Sequence, residues 1–185
     1  MNITTSIIVI TLNNGLTSRF RGLLNGLWDD LKRLDQRIAE LDREITSMAQ
    51  NDPVAKRLQQ LRGVGPLIAT ALVAAVGNAE QFANGRQMAA SLGLTPKQHS
   101  SGGKDRLLGI SKRGDAYLRS ILIHGARSVI RTAKEKDDRL SQWVTSLAAR
   151  RHPNVAAAAL ANKTVRIAWA MLRHGTDYQP DRIAA

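Results

Sequence analysis

A serine beside glycines and ringed by cations can attack a phosphodiester, and Ser100-Ser101-Gly102-Gly103-Lys104 has that composition. Glycine lets the backbone take left-handed conformations and approach a ligand closely. Consecutive N–H groups on such backbone can form an anion nest. Lys104, Arg106, Lys112 and Arg113 supply positive charge for a pentacovalent phosphorus. These are the parts a serine nucleophile needs to hold a covalent phosphoserine link. On spacing alone the plainer reading, a flexible Ser/Gly phosphate-binding loop, is preferred. His99 could act as base, although a lone loop histidine is more often simply exposed.

Other chemistries are disfavoured. The Lys-Ser/Thr ending of a Walker loop is absent. Asp29 to Glu44 lie on a helix and Asp137-Asp138 read as a helix cap, so no carboxylate cluster for a Mg²⁺ nuclease stands out. With no cysteine, a disulfide scaffold, a thiol nucleophile and cysteine-ligated zinc are excluded. His99, His124, His152 and His174 show no paired metal-ligand spacing. No metal ligand is assigned.

The charge points to a polyanion. The 185 residues carry 27 basic and 15 acidic groups, a formal net charge of +12. Residues 1–80 hold 9 basic and 8 acidic groups, whereas residues 97–136 hold 10 and 3. That second block is the expected phosphate-facing surface. The apolar run Ile7-Ile8-Val9-Ile10 is too short to span a bilayer and lacks a basic flank and a cleavage site. The sequence therefore reads as cytoplasmic, with no membrane partner.

The elements that must position this loop read as all-α. Residues 1–18 form no recognisable unit. Phe20, Leu24, Leu27, Leu31, Leu34, Ile38, Leu41, Ile45 and Met48 then alternate steps of four and three, which predicts a coiled-coil helix over 19–50. The seam is expected to pair with another copy of the chain, with folding back on the globular part as the alternative. Asn51-Asp52-Pro53 ends that helix and caps the next. Arg62-Gly63-Val64-Gly65-Pro66 predicts a tight hairpin before an apolar helix from Leu67 to Val76. A helix-hairpin-helix of this kind offers N–H groups at Gly63 and Gly65 to a DNA phosphate; a plain packed αα-hairpin fits the same residues. Asn84 caps a helix through Leu92. Lys97 to Gly114 shows no apolar period and reads as a long Gly/Ser/basic loop. Helices follow from Asp115 to about Lys136, with Arg119, Arg127 and Arg131 as a basic stripe, then over Arg139–Arg150 and Val155–Leu172. Residues 51–178 form one helical domain, and 179–185 read as a tail.

Leu61-Arg62-Gly63-Val64-Gly65-Pro66, Ser91-Leu92-Gly93-Leu94-Thr95-Pro96, Ser100 to Lys104, and Gly109 through Arg119 occur in that order. Ile123-His124-Gly125-Ala126-Arg127, Asn154-Val155-Ala156, Asn162-Lys163 and Arg166-Ile167-Ala168-Trp169 extend the series. Together they resemble the C-terminal half of insertion-sequence transposases of the "IS one-ten" family, specifically its "IS eleven-eleven" branch, over about Leu23 to Tyr178.

The resemblance implies a DNA recombinase guided by a structured RNA. It places the family's nucleophile, the serine preceding the loop glycines, on Ser101, with Ser100 as fallback. Gly63, Gly65, Gly102, Gly103, Lys104, Arg106, Lys112, Arg113 and Arg119 are the expected DNA- or phosphate-binding residues. The family joins its coiled coil to an N-terminal RuvC-like domain whose DEDD carboxylates bind Mg²⁺. The sequence is expected to lack such a domain before the coiled coil. The expectation is a truncated transposase domain that needs no cofactor of its own, dimerises through 19–50, binds DNA and guide RNA, and is inactive alone. The rival expectation is a non-catalytic nucleic-acid-binding or interfering protein.

Overall fold

A computed structural model describes residues 15–99 and 107–180, which fall in two compact units divided between Glu44 and Ile45. The expected site residues Ser100, Ser101, Gly102, Gly103, Lys104 and Arg106 lie outside the described residues.

Helix α1 (Ser18–Asn51) supplies the first unit and the opening residues of the second. Its bounds fall within one residue of the heptad reading. Within the first unit Leu27, Leu31, Leu34, Ile38 and Leu41 are 40–66% exposed. The polar faces carry ion pairs one turn apart, Arg33–Asp30 and Arg37–Glu40, each at 3.1 Å. Such exposed pairs add only about 0.3–0.5 kcal/mol each.

The second unit is built from short capped helices. Asp52 accepts from the Val54 N–H at 2.8 Å and Pro53 sits at the first position of α2 (Pro53–Leu58). A turn through Gly63 leads to α3 (Pro66–Val76), which Gly77 ends with φ +61°. Asn84 caps α4 (Gly85–Ser91): its side chain accepts from Gln87 N at 3.0 Å, while the Gln87 side chain accepts from Ala83 N at 2.8 Å. Asp115 caps α5 (Ala116–Ala133), Asp138 caps α6 (Arg139–Arg150), and Pro153 opens α7 (Pro153–His174).

The core gathers on α7, which packs on α4, α5 and α6. Ala156, Ala157, Leu160, Ala161, Val165, Ala168 and Met171 recur at helical spacing on its buried face. The alanines let neighbouring backbones come close, and Leu58, Leu72, Met88 and Val144 fill the space between. The nearly all-apolar run Val155–Leu172 predicts a buried helix, and that expectation needs correction. Arg166 and Arg173 on its other face are exposed.

A second correction concerns the loop. Strands β1 (Pro96–Gln98) and β2 (Leu107–Ile110) pair antiparallel, Pro96 against Ile110 and Gln98 against Leu107, with an irregularity between. The fold is mostly helical with this one ribbon among the described residues. So short a pair, with Pro96 at its start, leaves no period-2 signal to read.

Candidate nucleic-acid interface

The ribbon is anchored by a crossing of two backbones. Gly93 and Gly114 both take left-handed φ, +69° and +86°. A Cβ on Gly93 would strike the Arg113 carbonyl oxygen, and one on Gly114 would strike that of Ser91. Only glycine fits either place. Ser111 N donates to Thr95 O at 2.8 Å and Lys112 N to Gly93 O at 3.1 Å.

Arg119 ties this crossing to the first turn of α5. Its Nη1 donates to Leu92 O at 3.1 Å and, more weakly, to Asp115 O and Arg113 O at 3.4 and 3.5 Å. The expected phosphate ligand therefore also has a structural task. Lys112 sits at φ +58°, an uncommon conformation for a residue with a Cβ. The crossing fixes it there.

Between the ribbon and α5 lies a depression of about 320 Å³. Lys112, Arg119 and Arg127 supply three cations to its lining, with Ser120 and His124 beside them and no acidic side chain among the described lining residues. Arg127 Nη2 donates to Asn154 Oδ1 at 3.0 Å, which holds its guanidinium over the site. The arrangement suits a phosphate or a polyanion backbone.

Of the expected residues, the structure brings Lys112 and Arg119 together here. Arg113 is exposed and adjacent but does not line the depression. His99 is exposed. Gly63 and Gly65 sit apart in the hairpin. Gly63, φ +80°, packs on the Gly125 carbonyl of α5, whereas Gly65 has open space around it. Ser120, His124 and Arg127 were not among the expected site residues. Their spacing of four and three, one face of a helix, was the available signal.

A link from the hairpin to α6 was also not expected. Arg62 Nη1 donates to Asp138 Oδ2 and to Ser141 Oγ, both at 2.7 Å. Burial alone would raise the Asp138 carboxyl. The hydrogen bonds from Ser141 and the charge and hydrogen bond of Arg62 outweigh it and hold the carboxyl below its ordinary range. Among the described residues no three His, Asp or Glu side chains converge as a metal site would require. These described residues do not fit a Mg²⁺ ion.

Residues 55–142 match the family described as "Transposase IS116/IS110/IS902 family". Over those residues the chain is similar to a transposase family domain. The matched stretch runs from α2 to the first turn of α6 and includes the hairpin, the ribbon and the whole cationic depression. Relatives agree. A "Probable family 20 transposase" of Pseudomonas aeruginosa is 51% identical over 158 residues, 85% of this chain and 47% of the relative. The "Transposase for insertion sequence element IS1111A" of Coxiella burnetii is 44% identical over 165 residues, 89% and 45%. The "Transposase for insertion sequence element IS1328" of Yersinia enterocolitica is 40% identical over 154 residues, 83% and 46%. The chain thus spans less than half the length of these curated relatives. No helix among the described residues is long and apolar enough to cross a membrane.

Proposed function

We propose that this chain is the serine-bearing, DNA-binding part of an insertion-sequence transposase. The observation that carries the reading is the cationic depression of Lys112, Arg119 and Arg127 beside a pinned ribbon. Pairing of Gln98 with Leu107 fixes both ends of the intervening segment, and in sequence that segment carries Ser101.

In the proposed reaction Ser101 Oγ attacks a phosphodiester phosphorus. A serine–phosphorus bond forms, the bond to one DNA oxygen breaks, and that oxygen takes the proton that serine gives up. A hydroxyl of a second strand reverses the exchange and joins the strands. Cations fixed beforehand stabilise the extra charge on phosphorus without reorganising. The carboxylates that would activate the serine are assigned to a RuvC-like domain, linked or supplied in trans. A structured guide RNA is a second polyanion for the basic surface, and the α1 seam pairs with that of another copy.

The test is covalent trapping on a denaturing gel, with a suicide DNA substrate, Mg²⁺ and a separately supplied RuvC-like domain. An adduct in the wild type that disappears in Ser101→Ala and persists in Ser100→Ala is the expected result. Salt-sensitive binding with no adduct under any of these conditions would replace this reading with a binding-only protein.

A further inference from the structure

A second groove, of about 890 Å³, is bounded by the start of α4, by α6, by α7 and by residues 176–179. It shares no lining residue with the depression at the ribbon. Trp143 and Trp169 line it together with Arg86, Lys163 and Arg166. We infer that this groove seats an unstacked nucleotide of a single strand, its base on Trp143 and its phosphate among Arg86, Lys163 and Arg166.

The groove's parts are held in place by packing. A Cβ on Gly85 would lie 2.9 Å from the Arg166 backbone, so α4 and α7 touch there and present Arg86 and Arg166 to one space. Trp169 Nε1 donates to Phe82 O at 3.1 Å, and its ring meets His174 edge-on at 5.9 Å. Trp143 is only half-buried, and Lys163 Nζ stands 4.7 Å from its ring centroid. A base on that face would displace the ammonium onto its own phosphate.

Charge complementarity selects the ligand. Among the described lining residues Arg86, Lys163 and Arg166 stand with one carboxylate, Asp177. Asp177 is already engaged by Gln60 Nε2 at 3.0 Å and Arg57 Nε at 3.6 Å. Burial, then the charges of Arg166 and Arg139, lower the Lys163 ammonium. An acidic peptide would answer the charge but has no flat face for Trp143. A duplex keeps its bases stacked away. A single strand offers both π-face and phosphate.

The inference rests on the nucleic-acid reading above but on different residues, so the two fail separately. The full chain would be titrated with oligothymidylate, a mixed-sequence duplex and oligoglutamate while tryptophan fluorescence is followed. Oligothymidylate should quench the wild type. Trp143→Leu and Lys163→Gln should each weaken its binding about tenfold, the size expected for one lost stack. Duplex affinity should stay within twofold in both, and circular dichroism would confirm their fold. Lys112→Gln with Arg127→Gln should show the opposite pattern. Unquenched wild-type fluorescence, unchanged oligothymidylate affinity in Lys163→Gln, or equal quenching by oligoglutamate would overturn the inference.

Discussion

Gly63 in the hairpin and Gly125 in the middle of α5 press backbone against backbone. A β-carbon on either would collide with the carbonyl oxygen of the other. A glycine inside a helix costs about 1 kcal/mol relative to alanine, and here it allows the hairpin to seat on the helix. The hairpin glycines thus separate into two kinds. Gly63 serves packing, and Gly65, in extended backbone with nothing near it, stands at the start of α3.

Gly63→Ala should therefore destabilise the domain by roughly 2–4 kcal/mol, from a forbidden φ plus overpacking. Gly65→Ala should cost less than about 1 kcal/mol, the usual scale of a helix cap. Denaturant midpoints of the two variants check this, and equal losses would contradict the assignment.

Lys112→Gln and Arg127→Gln should weaken duplex binding. If each contacts one phosphate, each should flatten the dependence of log affinity on log salt by about 0.9. Arg119→Gln should in addition lower thermal stability, because Leu92 O loses its donor. Binding measured over a series of salt concentrations, with a melting curve for each variant, separates the two effects.

The Arg62–Asp138–Ser141 link should make stability depend on acid. Asp138 titrates lower in the fold than its ordinary 3.8, so its contribution is full above that value and fades as pH falls through the folded value. Asp138→Asn keeps a cap for α6 but removes the charge facing Arg62. The variant should be less stable than wild type at neutral pH, and the gap should close as pH falls through the lowered folded value. Urea unfolding across pH is the measurement.

Leu34→Lys with Ile38→Lys should leave the second unit folded and abolish self-association through α1. Both side chains are more than half exposed, so no core is disturbed. Sedimentation should shift from dimer to monomer. An unchanged sedimentation coefficient would remove α1 as the contact.

Much of the fold was legible because its signals are local. Asp52-Pro53, Asn84, Asp115 and Asp138 each cap the helix the sequence predicts, and the heptad of Leu27, Leu31, Leu34 and Ile38 marks α1. The ribbon was not legible, since the contacts of Gly93 with Arg113 and of Gly114 with Ser91, and the Ser111-to-Thr95 bond, join residues distant in the chain. At the candidate site, Lys112 and Arg119 were readable from the concentration of charge. Arg127 was seen as part of a stripe, but only its bond to Asn154, 27 residues on, turns it toward a site. The groove of Trp143 and Lys163 had no sequence signal of its own, because four separate segments form it.

The stitching of the last described residues to the end of α2 bears on how the domain is made. Tyr178 N donates to Gln60 Oε1 at 2.8 Å, and Asp177 meets Gln60 and Arg57, across more than a hundred residues of chain. At roughly 5–20 residues per second a ribosome needs on the order of 6–24 s to cover that interval. Throughout it, Arg57 and Gln60 have emerged from the ribosome without the partners that later hold them.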